Sequence, residues 1–244
     1  MKRGVGIALL AAVAFALIFL ARMPAAWVLP AAAPHGPCVS VEGPLWSGTC
    51  TGLSVQGTPV GDVSWTLQPL RLLSGKLAAH LTLVQSPAQA AADLELGFGG
   101  RVTARRLVAD LPLDPQLVPG VPQSLHGRAH LEIALAEFTH GVLTQLAGRI
   151  EARDLEDRSG ADTALGSYVV IFPGGSGEQI GKLHDTAGPL ALEGTLRLTP
   201  QPGFELQGLI APRQGAAPEV INNLRFLGPP DASGRRQFSV TGTF

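Results

Sequence analysis

One segment of the sequence has the residue types of a loop that handles phosphate or acyl groups. Residues 174–188 read GGSGEQIGKLHDTAG, with glycines around Ser176 and a Gly–Lys pair that ends at Lys182. A phosphate-binding loop needs glycine at the position of Ser176, and Ser or Thr at that of Leu183 to hold Mg²⁺. A nucleophile elbow needs glycine where Glu178 stands. We therefore predict no nucleotide site here and interpret the segment as a mobile loop.

Two histidines, His126 and His130, have the four-residue spacing of zinc ligands on a helix. The apolar residues that follow alternate as in a β-strand, however, and four strand residues span about 13 Å, too far to share one metal ion. The acidic residues between 154 and 157 are interpreted as a solvated turn. Because no nucleophile–base pair or metal-ligand set emerges, we predict a non-enzymatic protein without metal or other cofactors.

The two cysteines of the sequence, Cys38 and Cys50, flank a segment with Pro44 near its middle. A hairpin at this proline would set the two side chains opposite each other. In an oxidising compartment such a pair favours a structural disulfide. The alternative is a pair of free, half-buried thiols.

The amino terminus predicts a membrane anchor. Two basic residues precede an uncharged apolar run over 4–21, which as a helix is about 27 Å long, enough to cross a bilayer core. We predict residues 1–3 in the cytoplasm, a single transmembrane helix over 4–21, a Pro- and Ala-rich linker over 22–37, and an exported β domain over 38–244. A cleavable signal peptide is the alternative.

The exported part has the pattern of an antiparallel β protein. Only 15% of the chain is charged and its formal net charge is -1, which gives no basic footprint for nucleic acid. Two-residue alternation and regular turn signals predict an antiparallel sheet, sandwich-like or as a curved β-layer. The predicted strands are 39–42, 49–55, 60–67, 75–84, 92–97, 101–111, 125–135, 144–154, 166–172, 190–198, 204–210 and 236–243. One short helix is predicted after Pro218, near the C-terminus.

The segment 41–83 resembles the N protein family of the bacterial type II secretion system. That family has one membrane helix and a periplasmic domain that opens with x-G-x-x-W-x-G and G-x-V-x-W-x-L-x-P-x-x-L-L-x-G-x-L segments. The matching residues that we take as structural or docking positions are Trp46, Gly48, Gly61, Trp65, Pro69, Leu72, Leu73 and Gly75. The C-terminal sequence FLGPPDASGRRQFSVTGTF also resembles the family's ending. Burial of the tryptophans, with Leu70, Leu72 and Leu73 closing an open end of the core, is favoured over an exposed docking patch.

The resemblance implies a non-catalytic component of a secretion machine in the inner membrane, with its bulk in the periplasm. Its implied partners are inner-membrane platform subunits and the secretin, with no nucleic acid or nucleotide. A second hypothesis is a tethered periplasmic lipid carrier that resembles the AsmA group, with a leucine-lined groove. A third is a periplasmic enzyme that uses Ser176, His184 or Asp185.

Overall fold

The chain is a mainly antiparallel β protein in a computed structural model that describes residues 15, 18–19, 22–28, 38–55, 58–85, 88–113, 122–159, 162–199 and 203–243. It divides into two compact units, Met1–Gln85 and Ser86–Phe244, where the sequence predicts one β domain over 38–244. Strands follow one another in space in their order along the chain within each unit. Such a meander needs only short connections between strands, which agrees with the frequent glycine and proline turns.

Among the described residues from 22 onward, the first unit contains four strands and two short helical turns. Each strand is antiparallel to the one before it. The elements are a 3₁₀ turn at Ala25–Trp27, β1 (Ser40–Glu42), β2 (Ser47–Val55), β3 (Thr58–Leu67), α1 (Pro69–Leu72) and β4 (Lys76–Gln85). Helix α1 is a single turn because Pro69 ends β3, and Gly75, with a φ of 72°, then allows the return into β4.

The described residues of the second unit form nine strands and a short helix. Each strand again pairs antiparallel with its predecessor. The elements are β5 (Ala88–Gly97), β6 (Arg101–Pro112), β7 (Leu125–Thr139), β8 (Val142–Asp157), β9 (Thr163–Pro173), β10 (Gln179–Ala187), β11 (Leu190–Thr199), β12 (Gly203–Pro212), α2 (Pro218–Leu224), a 3₁₀ turn at Arg225–Leu227 and β13 (Arg236–Thr243).

The main core of the second unit lies on one face of its sheet. Ile133, Ala136, Leu146 and Phe172 are buried there. Leu196 of β11 packs against them, although β11 is two strands away from β9. The intervening strand contributes Gly181, where a methyl group would lie 2.9 Å from the Phe172 ring. The glycine thus lets an aromatic ring cross its strand and join side chains of β9 and β11.

A smaller core forms under helix α2. Val220 and Leu224 of the helix pack against Leu190 and Ile210 of the sheet, with Phe238 at the margin. Pro218 begins the helix at a position where its missing N–H costs nothing. The predicted helix after Pro218 is confirmed, and its apolar stripe is the side that it buries.

Two expectations about the β structure are corrected. Residues 179–187, interpreted as part of a mobile loop, form strand β10. The strand lacks an apolar side chain at Gly181, because the ring of Phe172 from the neighbouring strand fills that space. The sandwich alternative is also wrong, since the described strands of each unit pair side by side in one antiparallel layer. The prediction of a mainly antiparallel β fold is confirmed.

The predicted anchor 4–21 lies outside the described residues except for Phe15, Ile18 and Phe19. The predicted cytoplasmic residues 1–3 and the linker residues 29–37 also lie outside them. No helix within the described ranges is long and apolar enough to cross a bilayer.

Candidate functional site

Two of the residues that match the family motif lie opposite each other where β2 and β3 pair. Gly48 stands directly opposite Trp65. A methyl group on Gly48 would lie 2.6 Å from Cζ2 of the indole and 2.5 Å from the Glu42 carbonyl oxygen. Glycine is therefore needed for the indole to lie across β2. The Trp65 indole N–H donates to the Leu45 carbonyl at 2.9 Å, and the ring is thereby tied to the β1–β2 turn.

The same turn binds the segment that follows the predicted anchor. The Leu45 N–H donates to the Met23 carbonyl at 2.8 Å, and the Ala25 N–H donates to the Gly43 carbonyl at 3.0 Å. Pro24 and Pro44 form a β-bridge between these bonds, and Ala25 is fully buried. Residues 22–28 of the predicted linker are therefore held against the folded unit. Sequence reasoning missed this contact because backbone hydrogen bonds leave no side-chain pattern.

The remaining motif positions shape the chain around α1. Gly61 has a φ of 118° beside a register shift between β2 and β3. The leucines after Pro69 differ from the prediction. Leu70 and Leu73 are 80% and 87% exposed, and Leu72 is exposed as well. These leucines therefore do not close a core, because α1 is one turn long and buries none of its residues.

Cys38 and Cys50 are joined by a disulfide with a Cα–Cα distance of 5.6 Å. Cys50 lies in β2 opposite Val41 of β1, and both cysteines are buried. The bond fastens the chain just before β1 to the middle of β2. A strand of three residues offers few ladder hydrogen bonds, so this crosslink keeps β1 and the adjoining turn in register.

The residues of the enzyme hypothesis are not brought together. His184 and Asp185 are neighbours in β10, so their side chains point to opposite faces of the sheet. The Asp185 carboxylate accepts from the Leu192 N–H at 2.7 Å and pairs with Arg213 at 2.5 Å. Ser176 is exposed in the connection before β10. The Asp185 carboxylate thus joins β10 to β11 and to the end of β12.

Titratable groups on β7 and β8 satisfy one another. Glu151 is buried between Arg149 and Arg153, which both pair with it, Arg153 Nε donating at 2.6 Å. His130 contacts the carboxylates of Asp110 and Glu132 at 2.9 and 3.2 Å. Within the described ranges, no cluster of three or more His, Cys, Asp and Glu side chains is placed to hold a metal ion.

Gln179, which sequence reasoning missed, organises the connection before β10. Its buried side-chain oxygen accepts from the Leu146 N–H at 2.6 Å. Its amide nitrogen donates to the carbonyls of Thr144 and Gly177 at 3.1 and 2.7 Å. Because both the oxygen and the nitrogen of this buried amide are hydrogen-bonded, the side chain fixes the glycine-rich segment to β8. We therefore interpret that segment as part of the sheet structure and not as a phosphate-binding loop.

A cavity of about 430 Å³ lies between helix α2 and the ends of β8, β9 and β11. Its lining includes the apolar residues Leu165, Leu190 and Val220 and the acidic residues Asp157 and Glu219. The pKa of Asp157 is lowered, chiefly by the backbone hydrogen bond from Ser159. The described residues that line the cavity include no histidine, cysteine or lysine.

Comparison with known proteins agrees with the motif residues. The family model for type II secretion system protein N matches residues 38–239. The Type II secretion system protein N of Vibrio cholerae serotype O1 is 26% identical over 259 residues, which cover 99% of this chain and 99% of that protein. No solved structure matches. The family match extends over most of the chain and includes both units, and the chain therefore belongs to the type II secretion system protein N family.

Proposed function

We propose that the protein is a non-catalytic component of the type II secretion machine, anchored in the inner membrane by residues 4–21. Residues 1–3 face the cytoplasm and residues 38–244 lie in the periplasm. The observation that carries the proposal is the family match over residues 38–239. A leucine-rich lipid carrier of the AsmA type is not favoured by that match.

The contacts of the described residues support the anchor. The Arg22 N–H donates to the Ile18 and Phe19 carbonyls at 3.0 and 3.2 Å, as in a helical turn. Phe15, Ile18 and Phe19 are exposed, as lipid-facing side chains of a membrane helix would be. Because Met23 is already bonded to the folded unit, only one residue separates the apolar run from that unit.

The free edge of β13 supports docking by strand addition to another subunit. Among the described residues, β13 pairs with β12 alone. Residues 237–243 contain no charged residue and no proline, two of the usual protections of an edge strand. These seven residues present backbone N–H and C=O groups to a partner strand. We assign this edge to contact with a platform subunit or the secretin.

Photo-cross-linking in cells tests the proposal. A photoreactive amino acid at Ser239 or Thr241 of β13 is compared with one at Lys182, an exposed position on the interior strand β10. We expect the β13 positions, and not position 182, to yield a cross-link to another type II secretion subunit. Adducts that contain no such subunit would contradict the proposal.

A further inference from the structure

One exposed apolar surface lies in the first unit and is not part of the proposed docking edge of β13. Leu70 and Leu72 of α1, and Leu73 directly after it, are all exposed, and Leu73 is 87% exposed. None of the residues of α1 is buried. Neighbouring exposed leucines are unusual on a surface that meets only water, and typically mark contact with a partner or a membrane.

The leucines lie at the same end of the first unit as the β1–β2 turn. In an antiparallel meander, the β1–β2 and β3–β4 connections share one end of the sheet. The Leu67 N–H donates to the Trp46 carbonyl at 2.7 Å, so the end of β3 is bonded to the end of that turn. Helix α1 begins two residues later, at Pro69.

The chain from the anchor enters at this end too. Met23 and Ala25 are hydrogen-bonded to the turn that accepts the Trp65 indole N–H. Trp27, two residues after Ala25, is 66% exposed, and its ring centroid lies 6.1 Å from that of Phe19. Exposed aromatic and aliphatic side chains from two separate segments are therefore gathered where the anchor emerges.

The basic residues at this end suit lipid phosphates. Arg22 and Arg71 are exposed beside the apolar side chains. The segment 63–83, which includes α1, contains Arg71 and Lys76 and no acidic residue. Apolar side chains flanked by cations are the composition of surfaces that insert into the headgroup region of a bilayer, and exposed tryptophan is typical of the same depth.

We propose that this end of the first unit, formed by residues 22–28 and 70–73, rests on the periplasmic surface of the bilayer. Leu70 and Leu73 insert among the lipids, and Arg71 reaches the phosphates. The inference rests on the proposed anchor, since it is the anchor that brings this end to the membrane. Residues 22 and 23 extend at most about 7 Å, so the turn bonded to Met23 is held close to the headgroups.

Fluorescence depth measurement on the full chain in liposomes without other proteins tests this surface. A Leu73→Cys variant carries an environment-sensitive dye, and the native disulfide leaves the new thiol as the reactive one. Val84→Cys is the matched control, because Val84 is an aliphatic residue, 61% exposed, about 26 Å along β4 from Lys76. Leu70→Cys is the second test position.

We expect blue-shifted emission at positions 73 and 70, quenched several-fold more strongly by bromine-labelled lipids than emission at position 84. Equal quenching at positions 73 and 84 would overturn the proposal. The proposal would also be overturned if the dye at position 73 were exposed to water in pure lipid but shielded from it in native membranes. In that case a protein, and not the bilayer, would cover the leucines. Flotation of the chain with the liposomes separates this inference from the anchor: failure to float refutes the anchor itself.

Discussion

Replacing Gly48 with alanine tests whether the position of the Trp65 indole requires a residue without a side chain at position 48. The added methyl group would lie 2.6 Å from Cζ2 of Trp65 and 2.5 Å from the Glu42 carbonyl oxygen. The indole can move only by giving up its hydrogen bond to Leu45, and the carbonyl belongs to the neighbouring strand. Overpacking costs about 1–3 kcal/mol and the lost hydrogen bond about 0.5–1.5 kcal/mol. We therefore expect Gly48→Ala to destabilise the first unit by about 2–4 kcal/mol.

Tryptophan fluorescence measures this effect cleanly. All three tryptophans, Trp27, Trp46 and Trp65, lie in the first unit, so thermal unfolding followed by their emission reports on that unit. For a unit of this size, 1 kcal/mol shifts Tm by roughly 4–8 °C, so Gly48→Ala should lower the midpoint by at least about 8 °C. Ser47→Ala, an exposed neighbour, should change stability by less than about 0.5 kcal/mol. An unchanged midpoint for Gly48→Ala would refute the close-approach argument.

Three further predictions concern the disulfide, a buried amide and a buried phenol. Reduction of the Cys38–Cys50 bond, which closes a 12-residue separation, should cost the first unit about 3 kcal/mol, as a shift in tryptophan-detected urea unfolding; no shift would contradict it. Gln179→Leu leaves the buried Leu146 N–H without its acceptor and should cost about 1–3 kcal/mol, measured by circular dichroism, whereas unchanged unfolding would count against the amide's role. Burial, and then the charge of Asp185, raises the pKa of Tyr168 from 10.0 to about 12. Because the unfolded chain ionises first, stability should fall as pH rises from 10.0 to about 12. Absorbance titration of this one tyrosine should have its midpoint near the upper value, and a midpoint near the lower one would contradict the burial.

The strands that alternate in sequence could be predicted because one side of the sheet selects for apolar residues. In β11, Leu192, Leu196 and Leu198 follow that rule, and all three pack against the cores of the second unit. Strand β10 could not be found in this way. Gly181 occupies an inward position, where the volume is filled by Phe172 from the neighbouring strand. Single-sequence alternation cannot detect a position that a neighbour fills.

The arrangement of the candidate site could not be predicted from the sequence. Trp65 and Gly48 were singled out by resemblance, whereas their direct pairing follows from the register of β2 and β3. The leucines at α1 were predicted to be buried because they are apolar. A helix of a single turn, however, buries none of its residues against the sheet. The contact of Met23 with Leu45 is a hydrogen bond between backbone groups. Nearly every residue type has these groups, so the sequence does not reveal the contact.

The most direct test of the account is the side of the inner membrane on which the β units lie. Val84→Cys provides an exposed thiol on β4, to be labelled with a membrane-impermeant maleimide in cells whose outer membrane is permeabilised. The account predicts labelling while the inner membrane is intact, with the protein retained in the membrane fraction after alkaline extraction. Labelling only after the inner membrane is lysed, or release of the protein on extraction, would contradict it.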